Sequence, residues 1–119
     1  LYAGEDIKFI ARRIMICASE DVGLAEPTAL MIAIAAQQAV SFVGMPEGRI
    51  PLAHAVIHVA KAPKSNSAIV GIDKALAALS TSGDLRVPAH LRDAHYAGAK
   101  TFYHGVGYKY PHSYPNGWV

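Results

Sequence analysis

Residues 27–44 read Pro-Thr-Ala-Leu-Met-Ile-Ala-Ile-Ala-Ala-Gln-Gln-Ala-Val-Ser-Phe-Val-Gly, and this stretch decides the fold. Pro27 suits the first position of a helix, and Gly44 suits the position just after its end. The first half is apolar on every side, so packing one stripe against one neighbour would leave apolar side chains in water. The pattern therefore predicts a central helix whose early part, Leu30 to Ala36, is enclosed by other helices.

The second half of this central helix is different, because residues 37–43 mix polar and apolar side chains. Apolar helix surface that one chain cannot enclose can be buried by contacts between identical helices of two copies. We therefore expect the core of one subunit to give way to that of another at this end. The candidate subunit interface consists of Gln37, Gln38, Val40, Phe42 and Val43.

Three further helices are predicted from apolar residues that recur at three- and four-residue spacing. The first runs from residue 4 or 5 to about 19, the third from 51 until Pro63 ends it, and the fourth from about 67 to 79 or 80. Their apolar faces are Ile7, Ile10, Ile14 and Cys17; Leu52, Ala53, Val56, Ile57 and Ala60; and Ile69, Ile72, Leu76 and Leu79.

Two features lie outside these faces. Arg12 and Arg13 lie off the first apolar stripe. They are expected to face solvent or to form local ion pairs, with contact to an anion or an ion pair between subunits as the alternative. Residues 19–25 are predicted to turn, with Gly23 as the residue that can take a positive φ.

The remaining residues, 84–119, contain too many glycines and prolines for a long regular element. They also contain most of the aromatic residues, so we expect them to pack on the chain's own bundle, on another subunit or on a nucleic-acid strand. The predicted fold is all-α: a compact bundle of about four to five helices, with an irregular aromatic C-terminal tail. We expect residues 1–83 to form a helical oligomerisation core and residues 84–119 a tail packed on the core or on a neighbouring subunit, as one domain overall.

Length and composition bound the class of protein. At 119 residues, of which 52% are hydrophobic, the chain can bury a core without metal or disulfide support. The single cysteine, Cys17, has no partner in the chain, which excludes an intrachain disulfide framework and favours a reducing cytoplasm. Gln37 and Gln38 break the apolar run before it could cross a membrane, so no membrane contact is expected. Because the chain begins with Leu1, we expect it to be a piece of a longer polypeptide.

The sequence contains few groups that could form a catalytic or metal site. His54 and His58 lie four residues apart on the third helix, a spacing that can present two imidazoles to one zinc ion, but Ala55 stands where a metallopeptidase motif needs Glu. Glu20 and Asp21 form a carboxylate pair that suits capping or ion pairing. No phosphate-binding loop, Cys-x-x-Cys motif or Gly-x-Ser-x-Gly elbow occurs. We therefore predict no catalytic residue, metal or cofactor in this chain, with a metal enzyme built on the two histidines as a remote alternative.

Several sequence motifs together cover nearly the whole chain. They are Gly4-Glu5-Asp6 with Ile10-Ala11-Arg12-Arg13; Ala18-Ser19-Glu20-Asp21-Val22-Gly23-Leu24-Ala25; Ala35-Ala36-Gln37-Gln38-Ala39; Gly44-Met45-Pro46-Glu47; Ala60-Lys61-Ala62-Pro63-Lys64-Ser65-Asn66; Val87-Pro88 with His90-Leu91-Arg92-Asp93-Ala94; and Gly107-Tyr108-Lys109-Tyr110-Pro111-His112. In this order they resemble the C-terminal region of the replication-associated recombination protein A family of bacterial AAA+ ATPases. That family is also called maintenance of genome stability protein A and is similar to the Werner-helicase-interacting protein.

The resemblance implies a helical domain that follows the ATPase core and its lid. Such a domain is related to the collar of clamp loaders and assembles its protein as a homotetramer. The full-length protein is then expected to bind ATP and Mg, to hydrolyse ATP in a DNA-stimulated way, and to act at stalled forks with single-strand-binding protein in the bacterial cytoplasm, near the nucleoid. No position of this chain matches the family's nucleotide-binding residues, so the resemblance brings no ATP site into it.

A second interpretation is a module that docks DNA or a partner protein. Hydroxyl, amide and lysine donors next to aromatic rings suit contacts with phosphate and stacking on bases. The net charge does not favour an extensive nucleic-acid-binding surface, because the chain carries an excess of only two positive charges. The candidate DNA or partner contacts are Lys64, Ser65, Asn66, Tyr108, Lys109, Tyr110 and His112.

Overall fold

The computed structural model describes residues 1–83, 86–93 and 95–119. All regular structure in these residues is helical, which confirms the predicted all-α class. The four α-helices are α1 (Ile7–Cys17), α2 (Thr28–Val43), α3 (Arg49–Lys61) and α4 (Ser67–Ser82). A π-helical turn, Ala18–Val22, follows α1 directly, and a short 3-10 turn, Gly23–Ala25, leads towards α2.

The helices begin and end within a few residues of the predicted positions. The α1 helix begins at Ile7 because the Asp6 side chain caps it, accepting a hydrogen bond from the Lys8 backbone N–H at 3.2 Å. The α2 helix ends at Gly44, as predicted. The α3 helix begins two residues before Pro51, which is compatible with a helix because a first-turn residue needs no intrahelical N–H partner.

The chain divides into two compact units, Leu1–Ala78 and Leu79–Val119, and the division falls within α4. In the first unit, α2 and α3 pack most closely, and α1 and the π-helical turn pack against them. The core of this unit consists of Ala11, Ile14, Ala18, Val22, Ala29, Ala33, Ala36, Val40, Leu52, Ala55 and Val59.

The predicted enclosure of the central helix is wrong. Leu30, Met31 and Ile34 are exposed by 37%, 67% and 40% of their surface, while the alanines on the other side of α2 are buried. The first half of α2 is apolar all round, so its composition could not show which side would face the core. The buried side is the one that lets the backbones of α2 and α3 approach closely.

The face of α3 was also predicted wrongly, except for Leu52. The buried residues are Leu52, Ala55 and Val59, whereas Ala53, Val56, Ile57 and Ala60 are exposed. Two apolar stripes overlap on this helix, and the one that packs contains the small, fully buried Ala55, which shares a core with the alanines of α2.

The corner between α1 and α2 is joined to the α3–α4 loop. Gly23 has a φ of 49°, which confirms the predicted positive φ. The Ser65 backbone N–H donates to the Asp21 carbonyl oxygen at 2.8 Å, and a Cβ at Gly23 would lie 2.8 Å from the Ser65 carbonyl oxygen. This contact fixes where α4 begins relative to α1.

The second unit is largely irregular, in agreement with the prediction for residues 84–119. Its described residues form short 3-10 turns at Ala89–Leu91, Ala99–Phe102, Pro111–Ser113 and Pro115–Gly117. The Lys109 backbone N–H donates to the His90 carbonyl oxygen at 3.1 Å, which ties two of its segments together. Whether this segment packs on the helical core or on a second subunit stays a prediction.

Candidate functional site

The α4 helix presents the first unusual surface of the chain. None of its residues is buried, and Ile72 and Leu76, four residues apart on one face, are both 56% exposed. Leu79 extends the same spacing and is also exposed. The spacing predicts that this stripe helps to enclose the central helix, and that prediction is wrong. An exposed apolar stripe at helical spacing is typical of a binding surface.

The α2 helix presents a second exposed apolar surface. Its buried side is made mainly of alanines, and its opposite side carries the larger Leu30, Met31 and Ile34. A helix that only served its own core would do the reverse, because large apolar side chains gain most from burial.

The interface predicted at the end of α2 is divided between core and surface. Val40 lies in the core and so cannot contact a second subunit without rearrangement. Phe42 is 92% exposed, and Val43 and Gln38 are also exposed. The side-chain amide of the half-buried Gln37 donates to the Ser41 hydroxyl at 3.0 Å. For these four residues, participation in an interface stays a prediction.

An apolar groove between α1 and α3 was not predicted from the sequence. It encloses about 460 Å³, and its apolar walls consist of Phe9, Ile10, Ile14, Val56, Val59 and Ala60. Glu5, Arg13, Cys17 and Lys64 complete its lining. The available signal was Phe9, a large apolar residue adjacent to the predicted stripe of α1.

The predicted contact loop, Lys64 to Asn66, has structural roles of its own. The Lys64 ammonium group donates to the carbonyl oxygens of Val59 (2.9 Å), Ala60 (3.4 Å) and Ala62, so it caps the end of α3. The Ser65 hydroxyl accepts from the Ser67 backbone N–H at 3.3 Å and caps the start of α4. Asn66 is exposed.

The predicted contacts in the second unit form pairs of rings and charges. The rings of Tyr110 and His112 lie 5.0 Å apart, centre to centre. The Lys109 ammonium group lies 6.0 Å from the centre of the Tyr114 ring, and Tyr108 meets His95 edge to face. Trp118 is 82% exposed. The structure therefore brings Tyr110 and His112 together.

The histidines of α3 and the single cysteine are the remaining candidate site residues. Among the described residues, no group of three or more His, Cys, Asp or Glu side chains is placed to hold a metal ion. His54 is exposed, and the buried Nε2 of the half-buried His58 has no hydrogen-bond partner in the described part of the chain. A hydrogen bond to Asp21, together with burial, raises the pKa of the Cys17 thiol. A thiol that stays protonated is a poor nucleophile, which favours a packing role.

The comparisons with known proteins identify the family. The sequence model described as "MgsA AAA+ ATPase C terminal" matches residues 1–119. The chain belongs to this family. Within the family, it is 53% identical to the replication-associated recombination protein A of Bacillus subtilis over 96% of the chain and 27% of the relative. It is 40% identical to the protein of that name in Escherichia coli K12, over 98% of the chain and 26% of the relative.

Two further relatives come from another bacterium and from a eukaryote. An AAA domain-containing protein of Mycobacterium tuberculosis is 52% identical over the whole chain and 26% of its own length. The ATPase WRNIP1 of Dictyostelium discoideum is 40% identical over 96% of the chain and 13% of the relative. The chain thus spans about a quarter of the length of its bacterial relatives and corresponds to the C-terminal domain of AAA+ ATPases. In the described residues, no helix combines the length and hydropathy needed to cross a bilayer.

Proposed function

We propose that this chain is the oligomerisation module of its AAA+ ATPase, that it assembles the protein as a homotetramer, and that it has no catalytic site of its own. The observation that supports the proposal is that small side chains form much of the core of the helical unit, while larger apolar side chains are exposed. Its core is rich in alanine, whereas Leu30, Met31, Ile34, Ile72 and Leu76 remain on the outside. Contacts between identical copies would bury these side chains.

The free energy gained by burying these side chains is sufficient for stable association of the copies. Full burial of a Leu or Ile side chain contributes about 1.5–3 kcal/mol, so one that is already half buried still contributes about 1 kcal/mol when the rest is covered. In a symmetric assembly every copy buries the same apolar side chains, so the total free energy of association is the sum over all copies. Dissociation constants below about 10 µM are within reach of a few such side chains together with their surroundings.

The proposal predicts the mass of the chain in solution. Sedimentation equilibrium at protomer concentrations of about 5 to 100 µM should give the mass of a tetramer, and Ile72→Asp together with Leu76→Asp should reduce it. Lys74→Glu is the matched control, since Lys74 is also exposed on α4 but points away from the Ile72 and Leu76 face. A monomer at the highest concentration would contradict the proposal.

For the whole protein, we propose the activity that its relatives' names suggest. Those names combine replication, recombination and an ATPase. We expect ATP and Mg to bind outside this chain, DNA to stimulate hydrolysis, and single-strand-binding protein to be a partner in the bacterial cytoplasm near the nucleoid. Oligomerisation through this chain would then bring several ATPase domains together on one DNA substrate.

A second candidate function is contact with single-stranded DNA through the second unit. It is favoured by exposed rings beside cations: Lys109 lies between Tyr108 and Tyr110 in sequence, and Tyr110, His112 and Trp118 are exposed. Base stacking on exposed rings contributes about 1–3 kcal/mol per base. Fluorescence anisotropy with a labelled oligonucleotide at about 20 mM salt should show binding that Tyr110→Ala weakens, since low salt most favours phosphate contacts. No binding at that salt concentration would exclude this candidate.

A further inference from the structure

We propose that α4 of one copy docks into the α1–α3 groove of a second copy, and that the second copy returns the same contact. This inference rests on the proposed oligomerisation and names the surfaces that perform it. One chain carries both a helix with exposed apolar side chains, Ile72 and Leu76, and an open apolar groove. Each is the kind of surface that the other requires, because an amphipathic helix is bound by laying its apolar face into a hydrophobic groove.

The chain's own α4 is held away from this groove. The α3–α4 loop is fixed by the hydrogen bond from the Ser65 N–H to the Asp21 carbonyl and by Lys64, which caps α3. A second cavity, of about 420 Å³, lies between α1, at Met15 and Ile16, and the first two turns of α4, from Ala68 to Ile72. The groove lies along a different side of α1, through Phe9, Ile10, Arg13, Ile14 and Cys17. Ile72 is nevertheless 56% exposed, and so is Leu76, which lines neither cavity, so these two side chains are accessible to a second copy.

The two surfaces match in shape and polarity. The groove has a volume of about 460 Å³ and mostly apolar walls, so it can take branched side chains such as Ile72 and Leu76. Those two residues lie one turn apart on α4, at the spacing with which helices anchor in grooves. Ile69 precedes them on the same face and is half buried.

Charge supports the same pairing. Arg13 lines the groove. Asp73 follows Ile72 directly, and so lies about 100° round the helix, at the edge of the apolar face. Both residues are exposed, and neither has an ion-pair partner among the residues that the structure describes. Docking would bring an unpaired carboxylate to an unpaired guanidinium.

The pairing closes on itself. Each chain has one α4 and one groove, so two copies related by a twofold axis make two identical contacts and leave neither surface open. The exposed side of α2, with Leu30, Met31 and Ile34, lies outside both surfaces. It would be available to join two such pairs into a tetramer.

The decisive experiment is complementation between two defective chains. The helix variant carries Ile72→Asp and Leu76→Asp and keeps its groove. The groove variant carries Val56→Glu, a substitution at an exposed position of the groove wall, and keeps its α4. Each variant alone should lose mass in sedimentation relative to the unsubstituted chain. An equimolar mixture should regain a mass above that of either variant alone, with both variants in one assembly in native mass spectrometry, because one intact α4 then meets one intact groove.

The controls separate this inference from the proposed function. Ile57→Glu changes a neighbouring exposed residue of α3 outside the groove, and circular dichroism checks that every variant is helical. If the unsubstituted chain were a monomer, the proposed oligomerisation would fail. If it assembled and the groove variant assembled equally well, reciprocal docking would be wrong and α4 would pair with another surface. A mixture that does not associate would overturn it as well.

An exchange of charges tests the same contact with substitutions that cannot disturb the core. Arg13→Glu and Asp73→Arg should each weaken self-association, by about 3- to 10-fold in dissociation constant, since an ion pair at the edge of an interface contributes at most about 1 kcal/mol. The double variant should regain the original dissociation constant, because the pair is restored in reverse. Additive losses in the double variant would show that the two residues do not meet.

Discussion

Replacing Gly23 with alanine should lower the free energy of unfolding by about 3 kcal/mol, through two costs that add. The first is conformational: a φ of 49° with ψ at −129° is a backbone state that costs an L-residue about 1–3 kcal/mol. The second is steric, because the new Cβ would lie 2.8 Å from the Ser65 carbonyl oxygen. That oxygen belongs to a peptide segment held by the Ser65 hydrogen bond to Asp21, so it cannot move aside without breaking this contact.

Two other glycines supply matched controls for these costs. Gly44 has a φ of 70° and open space around its Cβ position, so Gly44→Ala should cost only the conformational part, about 1 kcal/mol. Gly71 lies within α4, also in open space, and Gly71→Ala should raise stability by about 0.5–1 kcal/mol. Urea unfolding followed by circular dichroism at one fixed protomer concentration measures all three. Equal losses at positions 23 and 44 would show that the contact with Ser65 contributes nothing.

The helices themselves could be predicted from the sequence, because local signals fix them. Pro27 and Gly44 bracket α2, Pro63 follows α3, and a repeated three- and four-residue spacing fills each helix. The role of Gly23 could also be predicted, since a turn between two helices needs a residue with positive φ. These signals act within a few residues of the chain and do not depend on its neighbours.

The faces of the helices could not be predicted, because they depend on what each helix meets. The spacing of Ile72 and Leu76 is that of a core stripe, and it gives no information on whether the core belongs to the same chain or to another copy. The same holds for Val56, which the sequence assigned to the chain's own core and the structure places on the wall of an open groove. Helical periodicity identifies apolar faces, and only tertiary packing selects among them.

The candidate site was missed for a related reason. The interface was predicted from one helix, at residues 37–43, whereas the α1–α3 groove needs two helices that are about 40 residues apart in sequence. Its position depends on the angle at which α1 and α3 cross α2, and no local pattern encodes that angle. Lys64 shows that a loop residue can also have a structural role that its sequence context does not reveal: it caps the end of α3, and its contact with a nucleic acid stays a prediction.

Replacing Ala55 with leucine should also destabilise the chain strongly, by about 3 kcal/mol. Ala55 is fully buried on α3, in the core that this helix shares with α2. A small side chain at this position allows the helices to approach, so three added carbon atoms would force them apart or into strained rotamers. Overpacking of a close-packed core typically costs about 1–3 kcal/mol, and a site with no free surface belongs at the upper end.

Ala53→Leu is the matched control, with the same chemical change on the same helix. Ala53 is exposed, so its substitution should alter the free energy of unfolding by about 0.5 kcal/mol or less. The comparison decides between the two possible faces of α3, since the sequence alone assigned Ala53 to the core. A large loss at Ala53 with a tolerated leucine at Ala55 would mean that α3 is rotated from its position here. The groove lined by Val56 and Val59 would then not exist, because both residues would turn with the helix.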